Sequence, residues 1–278
     1  LWPAPVDVHT HLDKGHIWPR ARNADGAFWT ALETVRRDRE AHWSAADVAA
    51  RMDFALRCAW AHGTAAIRTH LDSVGPQARI SWPVFAAMRE RWAGRIELQA
   101  VSLATLDDYA GQAGVELADI VAEHRGILGL VPWMCDDLDA QLHRWFTLAG
   151  ERGLDVDLHV DESLDPADRT LAHVARSAVR TGFAGRIVCG HCCSLAVQDE
   201  ATVDATLDAV AEAGIAVVSL PMCNMYLQDR TGRTPRRRGV TLLHEMRARG
   251  IPVAVASDNT RDPFYAYGDL DCHEVFRE

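Results

Sequence analysis

One repeated unit governs what this chain can become. A short, almost continuously apolar run is followed by a helical stretch, the helix ends in glycine, and the next apolar run begins. Strands read at 6–11, 64–70, 96–103, 127–132, 156–160, 186–190, 215–220 and 252–256. Helices read over 28–42, from a Ser44 cap to His62, and over 82–92, 115–124, 138–152, 166–181, 200–213 and 241–249. Glycines such as Gly63, Gly153, Gly214 and Gly250 close them, because glycine takes the left-handed C′ conformation without a Cβ clash. Apolar strands alternating with amphipathic helices imply a parallel sheet covered on both faces. Eight such units in 278 residues predict an α/β fold, a closed (β/α)8 TIM barrel, as a single domain over 1–278. A doubly wound open sheet is the competing fold. It calls for a glycine-rich turn after the first strand, where this chain has His9-Thr10-His11.

The charge balance narrows the partners. Against 29 Lys and Arg stand 39 Asp and Glu, a net charge of −10, which argues against nucleic acid or an anionic membrane. No run is long and apolar enough to span a bilayer, and no signal peptide is evident. Seven scattered cysteines do not form a disulfide framework, so a reducing cytoplasm is the expected compartment. The chain begins at Leu1 without Met and stops at Glu278 soon after a motif-rich stretch, and we expect both ends of a longer protein to be missing.

The strand ends carry the chemistry. On a strand, His9 and His11 point to the same side, and in a barrel the C-terminal strand ends share one mouth. His-x-His alone is equally compatible with one core histidine and one loop histidine. Strand five adds His159, strand six His191 and strand eight Asp258. Imidazoles with one carboxylate suit a divalent ion, zinc or iron(II), which would lower the pKa of a bound water. Glu162, three residues past His159, is placed to move a proton.

The pattern resembles the amidohydrolase superfamily and, within it, the cytosine deaminase group. The resemblance runs through His-Thr-His-Leu-Asp at 9–13, Arg-Thr-His-Leu-Asp at 68–72, His-Val-Asp-Glu at 159–162 and Gly-His at 190–191. It continues through Asn224–Arg230, Pro235–Thr241 and Ser257–Pro263. The resemblance implies that His9, His11, His159 and Asp258 bind one metal ion, that Glu162 shuttles protons, and that His191 and Asp258 activate the attacking water. It also implies N- and C-terminal segments forming a small β-sandwich. Two-metal relatives bridge their ions through a carbamylated lysine, often on strand four; Lys14 is the one lysine here and strand four has none, which favours one metal.

The expected activity is hydrolytic deamination of an amino-substituted nitrogen heterocycle, with water as co-substrate and ammonia as product. Cytosine enzymes carry a base-reading glutamine where this chain has Thr105, and a second acid where it has Asn259, with Phe264 following. A shorter Thr105 leaves more room, which tilts the substrate from a cytosine-like pyrimidine toward a larger pterin or isoguanine-like ring. Hydrolysis of a cyclic amide or an N-alkylamino-triazine is the competing chemistry. A non-catalytic metal-binding barrel is the competing class, and an intact Glu162 argues against it. A homo-oligomer is compatible with the sequence. Lys14 reads as a solvated loop residue, His70 as a strand-end residue near the mouth, Cys189-x-x-Cys192 as packing, and most of Trp82, Trp92, Trp133 and Trp145 as core.

Overall fold

The structure is a computed structural model describing residues 3–278. Eight strands alternate with helices in the expected order. The chain divides into two compact units, each built from separate stretches.

The first unit comprises Leu1–Ala100, Leu220–Arg238 and Val255–Glu278. It holds β1 (Val6–Thr10), α1 (Phe28–His42), α2 (Ala45–Ala61), β2 (Ala66–Asp72), α3 (Ala78–Arg91) and the beginning of β3 (Glu97–Leu103). Strands β1 and β2 run parallel, and the ladder slips between Asp7 and Thr10, the interval that carries His9. The Ser44 hydroxyl accepts from the Asp47 N–H, as its position at the head of α2 predicts. Helix α3 begins four residues before the expected start. A 3-10 turn at Gly75–Gln77 feeds it, and it continues through Pro83, which has no N–H to donate to the preceding turn. Trp82 and Phe85 on α3 are fully buried.

The second unit comprises Val101–Ser219 and Gly239–Ala254. It contains α4 (Gly111–Glu123), β4 (Leu128–Leu130), α5 (Leu138–Glu151), β5 (Val156–Val160), α6 (Thr170–Thr181), β6 (Ile187–His191), α7 (Glu200–Glu212) and β7 (Ala216–Ser219). With β8 at Val253–Val255, the strand order is β4-β5-β6-β7-β8, with β4 to β7 parallel. Gly129 lets β4 come close to its neighbour: a Cβ there would lie 1.8 Å from the Ser102 carbonyl oxygen. Trp145 and Phe146 fill the interior, whereas Trp133, at a strand end, is 38% exposed and stands outside it.

Two helices were not legible in the sequence, α8 (Pro221–Leu227) and α10 (Cys272–Arg277). Proline at the first position of α8 has no N–H to leave unsatisfied, which suits a helix start. Between them lie α9 (Leu243–Ala248) and β8 (Val253–Val255). All seven cysteines are free thiols. No helix among the described residues is long and apolar enough to cross a membrane.

Candidate functional site

In the first unit, the end of β1 is fastened from two sides. The Thr10 hydroxyl donates to the Arg68 carbonyl, and the Leu12 N–H donates to the Thr69 hydroxyl. On the other side the Asp258 N–H donates to the His9 carbonyl at 2.9 Å, while the buried Asp7 carboxylate accepts from the Ser257 N–H and hydroxyl. Burial pushes the Asp7 carboxyl up to about 6, against the pull of those Ser257 bonds. Asp258 takes a left-handed φ of 63°. Its carboxylate Oδ1 stands 3.1 Å from His11 Nε2 and 3.7 Å from His9 Nε2.

His9, His11 and Asp258 are all buried, and each offers a ligand atom within 4.8 Å of the others. Donors around one tetrahedral zinc stand roughly 3–3.5 Å apart, so this group fits a single divalent ion. Burial, reinforced by the positive charge of Lys14, lowers the His11 imidazole to about 4, although Asp258 opposes the shift. The ring is therefore neutral at pH 7, the form that donates to a metal. His70 on β2 packs its ring 4.0 Å from that of His9 and is fully buried. The sequence left its role open; the structure puts it against a metal-ligand candidate.

Lys14 corrects an expectation. It is 5% exposed rather than solvated, and its Nζ lies 4.6 Å over the Phe264 ring. The adjoining Asp13 carboxylate accepts from the Ser81 hydroxyl and the Asp72 N–H, both at 2.9 Å. Arg51 donates to the Asp13 carbonyl from α2. A sole lysine directly after His-x-His-Leu-Asp was the available signal; the Phe264 ring that covers its ammonium lies far along the chain.

Asn259 and Phe264 are buried in the same unit. The Asn259 amide is already engaged: its Nδ2 donates to Asp262 at 2.7 Å, and its Oδ1 accepts from the Cys223 thiol at 3.5 Å. Asp262 also accepts the N–H groups of Phe264 and Tyr265, and burial raises its carboxyl to about 6.

The second unit brings His159, Glu162 and His191 together. Val160 pairs with His191 across β5 and β6, the His159 and His191 rings lie 5.1 Å apart, and His191 Nδ1 is 3.5 Å from Glu162 Oε1. Asp161 holds both strand ends. Its φ of 49° turns the carboxylate onto the start of α6, where it accepts from the Thr170 N–H and hydroxyl and the Leu171 N–H. Its carbonyl accepts from the Cys193 and Ser194 N–H groups beyond β6. Asp161 therefore starts α6 at Thr170, four residues after the expected start, because the cap comes from a strand end. Thr105 is engaged elsewhere, its N–H and hydroxyl both donating to Asp108.

The amidohydrolase family profile matches residues 111–278. A pterin deaminase of Rhizobium rhizogenes is 60% identical over 280 residues, covering 100% of this chain. This chain spans 64% of that protein's length. The crystal structure of 5-methylcytosine deaminase from Klebsiella pneumoniae, liganded with 5-fluorocytosine, superimposes with a TM-score of 0.89 at 26% identity, covering 98% of this chain and 67% of that one. N-isopropylammelide isopropylaminohydrolase from Burkholderia multivorans superimposes at 0.72 with 26% identity, covering 96% and 66%. The barrel class expected from the strand and helix order is the class of these structures.

Proposed function

The chain belongs to the amidohydrolase family, and from that premise we propose that it is the catalytic domain of a hydrolytic deaminase acting on a pterin-like heterocycle. The observation that carries the reading is the buried His9–His11–Asp258 group, whose donor atoms fit one divalent ion. The 60% likeness to a pterin deaminase supports the ring class, as does Thr105 in place of a bulkier amide. All 278 residues act as one barrel domain in this reading.

His9, His11, His159 and Asp258 would hold the ion, zinc or iron(II), which when bound makes water acidic enough to attack near pH 7. Glu162 carries a proton to the ring nitrogen beside the carbon that bears the amine, which keeps negative charge from accumulating there. His191, 3.5 Å from Glu162, orients that carboxyl. Asp258 accepts the proton released by the attacking water. Asp258 passes that proton to the amine as the C–N bond breaks, so ammonia leaves; the proton of the added hydroxyl returns to Glu162, and the ring keeps a carbonyl.

The test is ammonia release by the metal-loaded, full-length protein across pterin, isoguanine, cytosine, 5-methylcytosine and N-alkylamino-triazines. Release from pterin above the others is the expected result. Amine release from an N-alkylamino-triazine alone would transfer the assignment to the chemistry named for the Burkholderia relative. Glu162→Gln should keep its metal and lose at least about a hundredfold in kcat; His9→Ala should lose metal, read by elemental analysis.

A further inference from the structure

The segment after α8 folds into a loop whose side chains line a cavity of about 440 Å³ within the first unit. Arg230, Arg233 and Arg238 contribute to its lining, with Asp229 as the one acid. That acid is committed to the loop itself. Its carboxylate accepts the backbone N–H groups of Arg236 and Arg237 and the Thr231 hydroxyl, with Arg233 Nη2 at 3.9 Å. Three arginines therefore line a cavity whose one carboxylate is already used in folding, in a chain whose net charge is −10.

Arg230 is held in place. Its Nε donates to the Tyr226 carbonyl at 2.7 Å and its guanidinium lies 4.5 Å over the Tyr226 ring. It rests on Gly26, where a Cβ would lie 2.4 Å from the guanidinium carbon. Gln228 supplies an independent observation. It lines the same cavity, and both polar atoms of its carboxamide are buried without a hydrogen-bond partner among the described residues. An amide buried in this way calls for a partner, because an unsatisfied buried polar group is costly.

We propose that this cavity is an anion-binding site that takes a phosphate or carboxylate group on Arg230, Arg233 and Arg238, with the Gln228 Nε2 as a further donor to it. Planar, multiply donating guanidinium groups match both anions. The anion has two possible sources, an acidic substituent on the heterocyclic substrate or a free anion. Helix α8 favours the substituent: its Cys223 touches Asn259, the neighbour of Asp258, and Tyr226 stands three residues further along the same helix. That choice of source rests on the proposed function; the existence of the site does not.

The experiment is calorimetric titration of the full chain with inorganic phosphate and, separately, acetate, against chloride at matched ionic strength. One saturable site is expected, weakened about tenfold in Arg233→Ala and in Arg238→Ala, with partial rescue in Arg233→Lys. Thermal melts establish that these exposed-side-chain variants are folded. Absence of saturable binding, or binding that both alanine variants leave unchanged, overturns the proposal. The source is read from kinetics, as the ratio of kcat/KM for a carboxylate-bearing pterin to that for pterin. A fall of about tenfold in that ratio in Arg233→Ala identifies the substrate's substituent. An unmoved ratio with phosphate binding lost identifies a free-anion site. If no heterocycle is deaminated, the titration still decides whether the site exists.

Discussion

His16 shows how a single side chain is set by its surroundings. Burial, then the positive charges of Arg261 and Arg51, lowers its imidazole from 6.5 to about 4, with Asp269 opposing. The folded state therefore resists protonating it, while the unfolded chain protonates it near pH 6.5. Between pH 6.5 and 4 the unfolded state binds more protons, so stability is lost as the pH falls through that window. The contribution is about 2 kcal/mol, the size of a shift of this order with its partial exposure discounted. His16→Asn should flatten that part of the urea-midpoint profile. Asparagine tolerates the left-handed φ of 64° found here, so the backbone need not change. Lys14 makes a related point: its place after His-x-His-Leu-Asp marks it in the sequence, but nothing local dictates its burial. Its environment is made by Phe264, 250 residues further along the chain.

At the scale of elements, the strand ends are held by side chains that are not themselves candidate ligands. Asp161→Ala removes the acceptor for three donors at the head of α6, and a lost cap of this kind costs about 1–2 kcal/mol. The same variant should lower kcat more than it raises KM, because Glu162 is the next residue and His191 ends the neighbouring strand. Equal loss in a melt with kcat intact would assign Asp161 a structural role alone. Gly129→Ala is expected to be more damaging, at roughly 3 kcal/mol in chemical denaturation, since its Cβ would overlap the Ser102 carbonyl. Helix ends marked by glycine were legible from the sequence, as with Gly182 after α6 at φ 60°. Starts set by distant groups were not, as α6 shows, and α8 was hidden because a seven-residue helix shows too little periodicity.

At the scale of the whole molecule, removing a bound metal should be visible in stability. An ion that binds only the folded state at a hundred times its Kd contributes about 2.7 kcal/mol. Chelation should therefore lower Tm by at least about 5 °C in calorimetry, and re-addition of zinc or iron(II) should restore it. A melt indifferent to chelation, with metal shown to be removed, would count against the assigned ligands. The amino-acid sequence alone determined the alternation of eight strands with helices, because burial on both faces and glycine stops are written in local composition. It also determined which strand ends carry histidine and acid. Tertiary structure alone decided the rest: that Lys14 is buried over an aromatic ring, that the Asn259 amide is engaged by Asp262 and Cys223, and that Asp161 organises two strand ends. The physical reason is the range of the interactions. Periodicity and capping act over a few neighbouring residues, whereas burial and charge pairing depend on groups that only the folded chain brings together.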